Sequence, residues 1–168
     1  MIKFIRRRLK YDEANRLHCL IRLTPNILGY RIEELMQFSD VWVAESEETF
    51  VGACLSVDLP LGWTEIAVLY VLEEFRNKGI GKELFDRGWQ SAEERRRNIY
   101  VISRNPSVLK LMNDRGMRVK KNLLCAPVAV HLYNLKYMAS VYRIVEAVRK
   151  ISMSRGKLPF CFGVRIFE

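Results

Sequence analysis

The segment Val71-Leu-Glu-Glu-Phe-Arg-Asn-Lys-Gly-Ile-Gly-Lys-Glu-Leu-Phe85 restricts the possible folds of this chain more than any other stretch. The run before it, Thr64 to Leu72, is rich in β-branched and aromatic residues and reads as a strand. The run after it, from about Gly79 to Arg97, carries Ile80, Leu84, Phe85 and Trp89 at helical spacing. A strand therefore passes into a helix through a short basic turn holding two glycines. Such a turn lets successive backbone N–H groups converge, and the helix start adds partial positive charge. The product is an anion cradle suited to a pyrophosphate. Two common cradles do not match. A P-loop needs Gly-Lys-Ser/Thr, whereas Gly81-Lys82 is followed by Glu83. A dinucleotide-binding fingerprint needs a third small residue where Leu84 stands.

The rest of the chain reads as alternating short elements. Met1 to Leu9 forms a first strand, and Asp12 to Arg22 a helix with Leu17, Leu20 and Ile21 on one face. Pro25 interrupts it, and a second helix follows through Ile32, Leu35, Met36 and Phe38. Val41 to Glu45 and Phe50 to Val57 are strands joined by a hairpin at Ser46-Glu-Glu-Thr49. Ile99 to Ser103 is a short strand, and Pro106 to Arg115 a short helix capped by Asn105 and stopped by Gly116. Two further strands are expected at Arg118 to Leu124 and Val128 to Leu135. A helix should then bury Met138, Val141, Tyr142, Val145 and Val148, with Lys136, Arg143 and Lys150 on a solvated face. The stretch Leu158 to Phe167 looks extended.

With 168 residues and 49% apolar content, an ordinary core is expected. Nothing reads as a signal peptide or a membrane span, which points to the cytoplasm. Cys19, Cys54, Cys125 and Cys161 are far apart, and with only His18 and His131 to join them they read as buried free thiols, with no metal site. Charge is unevenly placed. Between Ile32 and Phe75 there are ten acidic residues and no Lys or Arg, while the remainder carries 28 basic residues against nine acidic ones.

Arg76-x-x-Gly79-x-Gly81 resembles the coenzyme A signature of GNAT-type N-acetyltransferases, Arg/Gln-x-x-Gly-x-Gly/Ala. The flanks are similar too. Leu69-Tyr-Val71 ends five residues before Arg76, and Asn105, Val108, Leu111 and Gly116 resemble the family's following helix. The resemblance covers residues 1–135, taken as an acetyltransferase core, with 136–168 as an added helix and extended segment packed on it. It implies an α/β (α+β) fold: a mixed, mostly antiparallel twisted sheet flanked by helices. It further implies that Leu69, Tyr70 and Val71 grip the pantetheine arm of acetyl-CoA or another acyl-CoA. Arg76, Asn77, Lys78, Gly79, Ile80, Gly81 and Lys82 would hold the pyrophosphate. Asn105 would touch the pantetheine or acyl end, a role that competes with simple helix capping. Glu65, eleven residues before Arg76, matches the general-base glutamate of the histone-acetyltransferase branch. One departure is Met112, which stands where the family commonly has a proton-donating tyrosine. Tyr70 and Tyr133 are candidate substitutes.

The resulting expectation is an N-acetyltransferase acting by direct attack of an amine within a ternary complex. The acidic stretch points to a cationic small-molecule or protein amine as acceptor, and a homodimer fits the reading. The competing class is a non-catalytic coenzyme A-binding domain, or a basic adaptor on nucleic acid or a membrane surface. The tail's tyrosines argue weakly for RNA, so nucleic acid and membrane rank below the amine.

Overall fold

The computed structural model describes residues 1–138, 140–153 and 159–167. Strands β1 (Ile2–Arg6), β2 (Asp40–Ser46), β3 (Thr49–Leu59), β4 (Trp63–Val71), β5 (Asn98–Ser103), β6 (Arg118–Lys120) and β7 (Cys161–Arg165) form one sheet in the order β1-β2-β3-β4-β5-β7-β6. Only β4 and β5 run parallel; the other neighbours are antiparallel. Helices α1 (Tyr11–Leu23), α2 (Ile32–Gln37), α3 (Ile80–Glu94), α4 (Pro106–Asp114), α5 (Val128–Met138) and α6 (Val141–Met153) pack around it.

Two cores result. One joins Leu17, Ile21 and Leu35 of α1 and α2 to Val43, Leu55 and Val68 of the sheet. The other joins Leu84, Phe85 and Trp89 of α3 and Met112 of α4 to Cys54, Ile66 and Val101. Gly88 lets α3 approach closely, since a Cβ there would sit 2.8 Å from the Cys54 sulfur. The β2–β3 hairpin turns at Glu47 and Glu48, both with positive φ, the geometry of a tight two-residue turn.

Strand β4 does not alternate regularly. Leu55 pairs with Val68 and Ser56 with Ile66, so Ala67 bulges without a partner. Strict alternation would put Glu65 with Leu69 and Val71. Instead Ile66, Leu69 and Val71 face the α3 core while Val68 and Tyr70 face the α1 core, because a bulge exchanges the two faces.

Residues 128–135 are helical, which corrects the strand expected there. Val128, Val130 and Tyr133 favour strands intrinsically, but Pro127 starts a helix by accepting from the Val130 and His131 amides. Consecutive Ala129 and Val130 then pack on Tyr100 and Phe162. The strand expected at Arg118 to Leu124 is shortened to Arg118–Lys120. Beside β5 lies β7, whose Cys161 pairs with Ser103. Of the cysteines, Cys54 and Cys161 are buried and Cys19 and Cys125 exposed, so two of the four thiols expected inside are at the surface. No helix among the described residues is long and apolar enough to cross a membrane.

Helix α6 is turned the other way round from its sequence pattern. Val141, Val145, Val148 and Ile151 are exposed, whereas Glu146 and Lys150 are buried. The Lys150 ammonium donates to the carbonyls of Ile21 and Thr24 at the end of α1, and Arg149 donates to Arg22 O at 2.9 Å. A helix C-terminus presents carbonyls that lack intrahelical donors, so the polar face of α6 is the one that has partners. The expectations for Lys136, Met138 and Leu158 lie outside the described residues and side chains. Lys150→Ala strips these donors and opens a cavity. It should destabilise the fold by about 2–4 kcal/mol, read as a lowered midpoint in urea unfolding. A midpoint within error of the wild type would show that α6 is not anchored through Lys150.

Candidate functional site

The parallel strands β4 and β5 share only three registers, from Trp63↔Asn98 to Glu65↔Tyr100. Beyond Glu65 they separate, and a cleft of about 1070 Å³ opens between Ile66–Val71 on one side and Val101–Ser103 on the other. Glu65 therefore stands at the fork.

One end of the cleft is the turn between β4 and α3. Gly79, the residue before α3, adopts φ 77°, and Asn77 has φ 60°. Among the described residues, no backbone carbonyl accepts from any amide between Asn77 and Lys82. Six successive N–H groups are thus free at a helix N-terminus, an anion-binding arrangement. A Cβ on Gly79 would meet nothing within 4 Å, and one on Gly81 only a Val71 methyl at 3.6 Å. The space beside both glycines is open, so a steric clash with the protein itself is absent there. Arg76 folds back on the strand, donating to Val71 O at 3.1 Å and to the Tyr70 hydroxyl at 3.5 Å.

Of the residues expected to hold coenzyme A, Leu69, Tyr70, Val71, Arg76, Asn77, Gly79, Gly81, Lys82 and Asn105 line this cleft. Lys78 and Ile80 do not. The Lys78 ammonium stacks on Phe75 and donates to Glu74 O, and the Ile80 side chain is in the core. Lys82 is paired with Asp86 at 2.7 Å. The Asn105 side chain caps α4, accepting from Ser107 N at 2.9 Å. Met112 is fully buried and sits against Gly163 of β7, off the cleft wall.

Desolvation pushes the Glu65 carboxyl up to about 7, and the nearby charge of Arg143 opposes part of that rise. Tyr100, directly across the register, is raised by burial and then by the Glu65 charge. Arg143 itself lies 4.2 Å over the Tyr30 ring and 3.2 Å from Glu34. The ten acidic residues do not line the cleft as a group: Asp40 and Asp58 pair with Arg95, Glu45 with Arg7 and Glu34 with Arg143. Of that stretch, Glu65 is the acidic residue that faces the cleft.

Four cations reach the cleft wall that the sequence did not single out for it: the exposed Lys110, and Arg104, Arg143 and Lys150. Arg143 and Lys150 are visible as a seven-residue charge repeat, but such repeats ordinarily mark a solvated face. Arg104 carries a signal, because it continues the Tyr100, Ile102 face of β5 with a charge. It is 7% exposed, and burial holds its pKa below the ordinary guanidinium value.

A sequence-family model for the acetyltransferase (GNAT) domain matches residues 37–134, more than half of the chain. The chain belongs to the GNAT acetyltransferase family. An uncharacterised N-acetyltransferase of Chlorobaculum tepidum is 35% identical over 88 residues, 51% of this chain and 57% of that protein. The chain thus spans little more than half of the curated relative it matches. Two solved structures share the fold at 16% identity. N-acetylglutamate synthase from Neisseria gonorrhoeae, complexed with coenzyme A and N-acetyl-glutamate, covers all of this chain and 36% of its own, with a TM-score of 0.68. Rv2747 from Mycobacterium tuberculosis, in complex with CoA, covers 98% and 99%, with a TM-score of 0.69. In this GNAT chain the bulge at Ala67 lies between the fork and the glycine turn.

The elevated Glu65 carboxyl has a cost in stability with a definite sign. Between about 4.5, its ordinary value, and about 7 the unfolded chain releases a proton that the folded chain keeps. Stability therefore falls as pH rises through that window. Glu65→Gln should gain thermal stability over the wild type progressively across that range and hold the gain above it. Melting curves that stay parallel at every pH would contradict a desolvated Glu65.

Proposed function

We propose that the chain is an acyl-CoA-dependent N-acetyltransferase that transfers an acetyl or related acyl group to an amine by direct attack in a ternary complex. The observation that carries this reading is the row of free amides from Asn77 to Lys82 at the mouth of a cleft whose far end holds Glu65. The amides fit a pyrophosphate. The unpaired edges of β4 and β5 beyond Glu65 fit an amide-bearing pantetheine arm, which can substitute for the lost strand partner. Acetyl-CoA supplies the activated acyl group, and the chain supplies position and proton transfer.

An ammonium acceptor must lose a proton before it attacks. Glu65 takes that proton, directly or through one water, and its pKa near 7 suits the task at neutral pH. With Met112 enclosed in the core, the departing thiolate receives no proton from that position. Tyr70, beside the Arg76 guanidinium, and Tyr133 both line the cleft and are the candidate acids. A binding-only role would leave the desolvated Glu65 unexplained.

Two measurements test the reading. Gly81→Asp adds a negative charge to the cradle in a position with room for it. It should therefore abolish acetyl-CoA binding in calorimetry without unfolding the chain. Undiminished affinity in the folded variant would remove the cradle assignment. Glu65→Gln should lower the maximal rate about 10²- to 10⁴-fold near neutral pH, with acetyl-CoA affinity unchanged. Wild-type activity should fall below about pH 7 as Glu65 gains its proton, and the variant's deficit should shrink as pH rises and the acceptor deprotonates in solution. An unaltered rate and pH profile would leave bulk water as the proton acceptor.

A further inference from the structure

Besides the exposed Lys110, three cationic side chains reach the cleft from buried or half-buried positions, and they differ in what they meet. Arg143 is paired with Glu34, and Lys150 donates to carbonyls of α1. Arg104 has neither hydrogen bond nor carboxylate among the described residues, and its Nε is sealed from solvent without an acceptor. A guanidinium is costly to bury in that condition. The group is also held in place: it stacks on Phe160, 3.7 Å from the ring centroid. A guanidinium whose face is covered by an aromatic ring keeps its edge, with its parallel N–H groups, for a planar bidentate acceptor.

Its place in the sheet narrows the choice of acceptor. Ile99 and Val101 of β5 face α3 and α4, the flank of the pyrophosphate cradle. Tyr100 and Ile102 face the opposite flank with Phe162, and Arg104 with Phe160 continues that row. Tyr100 pairs across the sheet with Glu65, and Arg104 lies four residues further on, about 13 Å along the strand, a span that the long arginine side chain shortens. The base and the unsatisfied guanidinium thus bound the same side of the cleft.

We propose that Arg104 binds the carboxylate of the acceptor, so that the acceptor is an amino acid rather than a simple amine. The inference rests on the acetyltransfer reading above. The ammonium end faces Glu65 and the carboxylate end meets Arg104, a zwitterion held between opposite charges.

The test uses the whole chain with acetyl-CoA and matched pairs that differ only in the carboxylate: the common amino acids and their decarboxylated amines. Free thiol is followed and products are confirmed by mass spectrometry. For the pairs that react, the amino acid should be favoured at least about a hundredfold in kcat/KM, because a site with a buried polar group rejects a partner that leaves it unmet. Arg104→Gln should raise the acceptor KM and reduce that preference to within about threefold, with the acetyl-CoA Kd unchanged. Arg104→Lys should retain part of the preference. Decarboxylated amines that react equally well overturn the proposal, as does a preference that survives Arg104→Gln. So does a switch from succinyl-CoA to acetyl-CoA in the Arg104→Gln variant, which would place the carboxylate on the acyl donor. Should neither series react, melting of the acetyl-CoA-loaded protein with each amino acid decides. A stabilisation lost in Arg104→Gln supports the site, and no stabilisation by any amino acid overturns it. Failure of the wild type to bind acetyl-CoA in calorimetry sinks the acetyltransfer reading itself, a result distinct from either.

Discussion

The parting of β4 and β5 is the constraint on which the rest of this molecule depends. A parallel pair that stops after three registers leaves the backbone groups of both strands facing each other across a gap. Buried peptide groups need partners, so a fork of this kind persists only where a ligand or solvent can supply them. The neighbouring elements hold the fork open. Strand β4 is fixed to β3 along most of its length, and Arg76 ties the last carbonyl of β4 through Val71. Strand β5 is held from its other edge by five registers with β7. Neither strand can swing across to close the gap without breaking a longer ladder than it would make.

Electrostatics follow from that opening. A carboxyl at the fork is walled by Tyr100 and apolar strand residues, so its charge is poorly solvated and its proton affinity rises. The acidic stretch of the sequence contributes little else to the cleft: Asp40 is paired with Arg6 and Arg95, Glu45 with Arg7, Asp58 with Arg95, and Glu34 with Arg143. Charge that is segregated along the chain is thereby mixed in space. What remains at the cleft is Glu65 at the fork, Asp114 at the end of α4 and a set of cations around them, an arrangement suited to an acceptor with both signs of charge.

Much of this was legible beforehand, and the reasons for the exceptions are local. The elements from Ile2 to Asp114 follow their apolar periods closely, since each has one face in a core. The glycine turn could be read because it demands a positive φ, which few residue types adopt. The face of β4 beyond Glu65 could not, because a bulge at Ala67 depends on how β3 lies opposite and has no compositional mark. Residues 128–135 were misread because their strand formers are overruled by Pro127 and by a slot already taken by β7. Helix α6 inverted the usual rule: its buried face is the polar one, and no periodicity reveals that the waiting partners are carbonyls of a distant helix. Arg104 was overlooked for the same reason, since the value of a cation depends on what it fails to meet.

The inverted face of α6 and the position of β7 bear on the order in which this chain acquires its shape. A helix whose apolar side faces outward gains nothing from general collapse, so its docking waits until α1 has ended and presented its carbonyls. Among the described residues, strand β7, beyond that helix, joins β5 across the widest sequence separation of any strand pair, from Ile99 to Arg165, and β6 has no sheet partner but β7. Contacts of such long range are reached late, after most of the loop entropy has been lost. The wall that carries Arg104 and Phe160 is therefore assembled last, on a scaffold in which the fork and its glycine turn already stand.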